Sequence, residues 1–194
     1  MTASTSNSPH KSIVLVGLMG AGKTCIGKRL ATRLDMPFVD ADAEIETAAG
    51  CSIQDMFEIH GEAEFRDGER RVIARLLDGP PHVLATGGGA FLNPRTREKI
   101  GGCATSIWLR ADLELLLKRT ARRHHRPLLE RGDRRQVMAR LIEERYPVYA
   151  EADITVDSVD GPPEATVDRV EDALAGFVGE RPAKDRSLER EAAR

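Results

Sequence analysis

The sequence predicts an α/β protein of three layers, α/β/α, with a five-stranded parallel sheet at its centre. Two observations carry this expectation. Short apolar runs alternate with longer stretches of helical period along the chain, the pattern of strands crossing over through helices. The first run, residues 12–17 (Ser-Ile-Val-Leu-Val-Gly), is continuously apolar, as a strand buried on both faces must be. A chain of 194 residues that is 41% hydrophobic suits one domain with a real core.

The elements follow in order. Residues 22–34 have helical spacing, with Ile26, Leu30, Ala31 and Leu34 on one face. Residues 37–40 make a second short strand. Residues 43–49 and 52–60 read as short helices split by Gly50. Residues 62–77 form a longer helix with an apolar stripe of Phe65, Val72, Ile73, Leu76 and Leu77, stopped by Gly79-Pro80-Pro81. The third strand, 82–86, runs into Gly87-Gly88-Gly89. A helix at 94–100 and a strand at 105–109 come next, and Asp112 caps a helix over 113–121. Residues 133–149 are helical, with an interruption expected near Pro147. A strand at 153–157 and a helix at 164–178 complete a single domain over 12–179. Within it, the polar, basic segment 122–132 lacks core periodicity and is the expected mobile lid. The Ser/Thr-rich stretch 1–11 reads as a flexible leader, and the charged stretch 180–194 as a disordered tail.

Composition excludes several classes. A net charge of -2 gives no footprint for nucleic acid or an anionic membrane, and 4% aromatics leave little for base stacking. No apolar run reaches the roughly 18 residues a spanning helix needs. Cys25, Cys51 and Cys103 are scattered, with no zinc spacing, so a cytoplasmic setting is expected. Cys25 is expected to be a small packed side chain. His124 and His125 alone make no metal site.

Residues 17–24, Gly-Leu-Met-Gly-Ala-Gly-Lys-Thr, fit the phosphate-cradling pattern Gly-x4-Gly-Lys-[Ser/Thr], placed between a buried strand and a helix. Its glycines permit positive φ and close backbone approach. Successive N–H groups then line an anion nest at a helix N-terminus. Gly20, Ala21, Gly22, Lys23, Thr24 and Cys25 are the expected ATP contacts. Lys23 reaches for the β- and γ-phosphates, and the Thr24 hydroxyl is a hard oxygen ligand for Mg²⁺.

The loop specifies a nucleotide but no acceptor. Asp40 and Asp42 follow the second strand, on the side of a parallel sheet where ligands bind. One carboxylate could hold a Mg²⁺-bound water and the other deprotonate a hydroxyl. Equally, Asp40 could simply end the strand and Asp42 cap the next helix. Gly87-Gly88-Gly89 marks either a close approach or a flexible turn. Arg66, Arg126 and Arg145 carry guanidinium forks suited to a carboxylate or a phosphate, against a background of solvated arginines. Arg126, in the lid segment, could close over the phosphates.

These motifs together resemble the shikimate kinases. The resemblance rests on the glycine loop, Asp40-Ala41-Asp42, Glu64-Phe65-Arg66-x-x-Glu69, Thr86-Gly87-Gly88-Gly89, Arg126-Pro127-Leu128-Leu129 and Arg145-x-x-x-Tyr149. It implies the P-loop kinase fold with a mobile lid, and transfer of the ATP γ-phosphate to the 3-hydroxyl of shikimate, on the way to chorismate and the aromatic amino acids. It also implies roles. Asp42 is the base, Arg66 and Arg145 hold the shikimate carboxylate, and Gly87, Gly88 and Gly89 line the acceptor. Lys23 and Arg126 act on the transferring phosphate, and Arg119 lies on the adenine side. Thr24 binds one Mg²⁺ directly, Asp40 does so through water, and Glu69 supports Arg66. A monomer binding shikimate and ATP is expected, with no nucleic acid or membrane partner. The sequence departs from the family in the Ala between the two aspartates, in Cys25 where Thr is common, and in the lack of an Arg near 159–163. A gluconate-type kinase and a non-catalytic nucleotide-binding module are the competing readings.

Overall fold

Five parallel strands, in the order β2-β3-β1-β4-β5, organise the protein. The computed structural model describes residues 11–121 and 133–180. The strands are β1 (Ser12–Val16), β2 (Phe38–Asp40), β3 (Val83–Ala85), β4 (Ala104–Arg110) and β5 (Ile154–Asp157). β1 lies at the centre and is buried throughout, which explains its apolar run from Ile13 to Val16. It pairs with β3 through Ile13–Val83 and with β4 through Val16–Trp108.

The helices are α1 (Lys23–Arg33), α2 (Ala41–Ala49), α3 (Ile53–Leu77), α4 (Pro94–Cys103), α5 (Leu113–Thr120), α6 (Arg134–Tyr149) and α7 (Pro163–Glu180). The path from β1 to β2 and the path back to β3 cross the sheet in opposite directions. Right-handed crossovers therefore put α1 on one face and α3 on the other. α7 packs on α1, and α4 on α3. None of the described helices is long and apolar enough to cross a membrane.

Four local expectations are corrected. Asp40, not Asp42, caps α2; its carboxylate accepts the Asp42 N–H at 3.1 Å. Pro147 does not interrupt α6, which continues to Tyr149; the proline takes one N–H out of the ladder, and only two residues of helix follow it to be disturbed. The sequence reading had no place for a 3-10 turn at Ala90–Leu92. Cys25 is exposed rather than packed, its Sγ 3.1 Å from Arg29 Nη1. The two helical stretches over 52–77 run as α3, broken at Gly61 (φ 79, ψ 173), a conformation that glycine alone adopts readily. The expected lid at 122–132 lies outside the described residues, as do the expected leader at 1–11 and tail at 180–194 apart from residues 11 and 180.

Candidate active site

The phosphate loop joins β1 to α1. Gly17, Gly20 and Gly22 have φ of 134°, 86° and 102°, where side chains are strained. A methyl group on Gly17 would also sit 2.7 Å from the Leu109 carbonyl oxygen. The first turn of α1 carries no acidic residue, so its partly positive end is left for an anion. The Lys23 ammonium lies back over the loop and donates to the carbonyls of Gly17 (2.8 Å) and Leu18 (3.0 Å).

The Thr24 hydroxyl donates to Asp40 Oδ2 at 2.9 Å. A hydroxyl has one proton and two lone pairs, so this bond leaves the lone pairs of Thr24 for a cation. One hydroxyl and one carboxylate suit Mg²⁺, which keeps several waters and takes phosphate oxygens as further ligands. Asp40 thus caps α2 with one carboxylate oxygen and accepts the Thr24 proton with the other.

A second cluster of charged side chains gathers around the triple glycine after β3. A methyl on Gly87 would lie 2.9 Å from Asp42 Oδ1 and 2.8 Å from Glu69 Oε1. On Gly89 it would lie 2.4 Å from Arg66 Nη1. These glycines are required by close side-chain approach, and at none of the three does φ fall in the positive range. Gly88 lies against the phosphate loop, where a methyl would be 3.6 Å from the Met19 nitrogen and 3.8 Å from Arg145 Nη1. Arg145 donates to the Gly88 carbonyl at 3.2 Å, and the Tyr149 hydroxyl donates to the same oxygen. The phosphate loop and the triple-glycine cluster therefore meet at Gly88.

Arg66 is held from several sides. It donates to Glu69 Oε2 at 2.8 Å and to Glu62 Oε1 at 3.3 Å, and it lies over the Phe57 and Phe65 rings. Burial works against its charge, but the Glu69 and Glu62 carboxylates more than offset this and raise its pKa. Glu69 is itself buried, and its Oε1 has no hydrogen-bond partner among the described residues. Burial pushes the Glu69 pKa above its ordinary value, against the pull of Arg66. Burial likewise pushes the Tyr149 phenol up to about 12.

Arg119 reaches the phosphate loop from behind, through Ser158 and loop carbonyls. Arg126 lies outside the described residues. Sequence reasoning missed Ser158, whose one signal is its position just beyond the carboxyl end of β5. It named Tyr149 only within a motif; spacing of four from Arg145 on a helix puts the two on one face. A separate cavity of about 360 Å³ is lined by Phe91, Arg97, Ser106 and Asp153 among others. Ser106 sits near the amino end of β4, so this cavity lies away from the glycine loops.

The family model for shikimate kinase matches residues 19–175. The chain belongs to the shikimate kinase family. It is 65% identical over 168 residues to the shikimate kinase of Paramagnetospirillum magneticum, covering 87% of this chain and 86% of the relative. It is 54% identical to that of Bradyrhizobium diazoefficiens, covering 90% and 84%. A shikimate kinase from Acinetobacter baumannii in complex with shikimate superposes with a TM-score of 0.83 at 36% identity, covering 87% of this chain and 95% of that one. The fold extends to a gluconokinase from Sinorhizobium meliloti, with a TM-score of 0.61 at 20% identity over 93% of this chain and 97% of that one. The P-loop α/β fold of shikimate kinases was thus foreseen correctly from the sequence.

Proposed function

We propose that the protein transfers the γ-phosphate of ATP to the 3-hydroxyl of shikimate, giving shikimate 3-phosphate and ADP, a step toward chorismate. The observation that carries this reading is the convergence of Asp42, Arg66 and Arg145 on a triple glycine that touches the phosphate loop. A small hydroxy acid placed there would meet two guanidinium forks for its carboxylate and one carboxylate for its hydroxyl.

The acceptor oxygen forms a bond to the γ-phosphorus as the bond to the β-phosphate oxygen breaks, and Asp42 takes the hydroxyl proton. Lys23 would leave the carbonyls of Gly17 and Leu18 for the β- and γ-phosphates, so its present bonds hold it ready at the loop. Bound Mg²⁺, one per subunit, supplies charge neutralisation across those phosphates. Thr24 would ligate it directly and Asp40 through water. Arg66 and Arg145 orient the acceptor; Glu69 keeps Arg66 in place. Gly20, Gly22 and Cys25 would give backbone N–H groups to the phosphates, while Ala21, whose N–H is held by the Leu18 carbonyl, would line the loop beside them. Arg126 is assigned to the lid over the transferring group. The protein acts as a cytoplasmic monomer in this reading.

ADP release, followed in a coupled assay with shikimate, quinate and gluconate, tests the acceptor. Shikimate-dependent release with Mg²⁺ is expected. Preference for gluconate would favour the gluconate-type reading, and no release with any acceptor would favour a binding module. Arg66→Ala is expected to weaken shikimate binding while leaving the KM for ATP near the wild-type value.

A further inference from the structure

The back of the phosphate loop is held by two side chains from different parts of the fold. Ser158, 5% exposed, follows β5 and continues its ladder through an N–H bond to the Arg110 carbonyl at 2.7 Å. Its hydroxyl donates to the Ala21 carbonyl at 2.9 Å and accepts from Arg119 Nη1 at 2.9 Å. The same Nη1 lies 3.3 Å from the Ala21 oxygen and 3.4 Å from the Gly20 oxygen, while Nη2 donates to the Val159 carbonyl at 2.6 Å. One hydroxyl therefore links α5, the segment after β5 and the loop.

The geometry of the peptide gives this contact a consequence. In a trans peptide the C=O of one residue and the N–H of the next point in opposite directions. Ser158 and Arg119 fix the Ala21 carbonyl on the back of the loop, so the Gly22 N–H is aimed at the front. The Ala21 N–H is already engaged with the Leu18 carbonyl at 3.2 Å. Gly22, at φ 102 and without a Cβ to restrict it, would otherwise let this peptide turn over. Donors on the carbonyl also polarise the peptide and make its N–H a stronger donor to an anion.

We propose that Ser158 is a positioning residue for the nucleotide, which aims the Gly22 N–H at phosphate by fixing the Ala21 carbonyl. The inference rests on the reading that the loop binds ATP, so the wild-type protein is measured first for Mg-ADP binding by calorimetry and for shikimate-dependent ADP release. Failure of either would remove that reading by itself. With both in place, Ser158→Ala is expected to weaken Mg-ADP binding and raise the KM for ATP by about three- to tenfold, the equivalent of one hydrogen bond, with the KM for shikimate unchanged. Ser158→Thr keeps the hydroxyl and restores nucleotide affinity. Ser158→Cys, similar in size but a weak donor, repeats the effect of alanine and serves in its place should alanine not fold. Wild-type nucleotide affinity in both the alanine and cysteine variants, or in the one that folds, overturns the proposal. So does equal weakening for both substrates, or a threonine variant no better than alanine.

Discussion

Gly89→Ala separates the stability of the fold from the geometry of the acceptor site. The added methyl would stand 2.4 Å from Arg66 Nη1 and 2.6 Å from its Cζ and Nη2, where ordinary contact begins at 3.4 Å. The guanidinium must therefore retreat by about 1 Å, the difference between those two distances. It is the far end of a flexible side chain and is partly exposed, so the retreat costs the fold little. It costs the site far more, because the fork leaves both its Glu69 partner at 2.8 Å and the acceptor carboxylate. A charge-assisted hydrogen bond lost in this way is worth about 2–3 kcal/mol, or roughly thirty- to a hundred-and-fifty-fold in the KM for shikimate. Initial rates over a range of shikimate at saturating ATP measure this, and thermal unfolding of the same variant supplies the control. A Gly89→Ala enzyme with a shikimate KM within twofold of wild type would refute the placement of Arg66 at the acceptor. A large fall in Tm without a change in KM would show that the backbone, not the guanidinium, gives way.

Two pH-dependent effects follow from the buried groups. Glu69 takes its proton above the ordinary 4.5, so acidification removes the negative partner of Arg66 earlier than an ordinary glutamate would. The KM for shikimate should rise on acidification with a midpoint above 4.5, and Glu69→Gln should have a raised KM without that step. Because the folded state holds this proton more tightly, Glu69 favours folding most below 4.5 and loses that contribution as pH rises through the raised value. Tyr149 holds its proton to about 12 against an ordinary 10.0. Its contribution to stability is complete below 10.0 and is lost as pH rises through about 12. The stability difference between wild type and Tyr149→Phe, read from denaturant unfolding, should narrow over that window, and a constant difference would contradict the assignment.

The donor half was legible in the sequence because backbone conformation is written in residue type. Glycine spacing encodes the positive φ of Gly20 and Gly22, and the lysine and threonine occupy fixed places after them. The strands were legible for a similar reason, since burial on both faces keeps β1 apolar from Ile13 to Val16. The acceptor half was harder to read. Gly87, Gly88 and Gly89 could mean a turn or a close approach, and only the distances to Asp42, Glu69 and Arg66 decide the question. By residue type Asp40 could end the strand and Asp42 cap the next helix, until the hydrogen bond from the Asp42 nitrogen singles out Asp40 as the cap. Ser158 was invisible because its contacts span 137 residues to Ala21, and no local pattern encodes a contact of that range. Pro147 shows the opposite error, a local rule applied where the helix was about to end.

The strand order has an evolutionary reading. β1 and its loop sit on a seam. The residues assigned to the acceptor on α2, α3 and the triple glycine belong to the β2-β3 side, while Arg119 and Ser158 brace the loop from the β4-β5 side. Changes confined to the first side can alter which alcohol is presented without moving the machinery that grips the nucleotide. Selection can then rewrite one flank of the sheet while the other is held constant, as interchangeable tooling is fitted to a fixed drive. Arg145 is the exception, since it reaches Gly88 from α6 across the seam, and it is the residue through which a rewritten flank must still be reconciled with the old one.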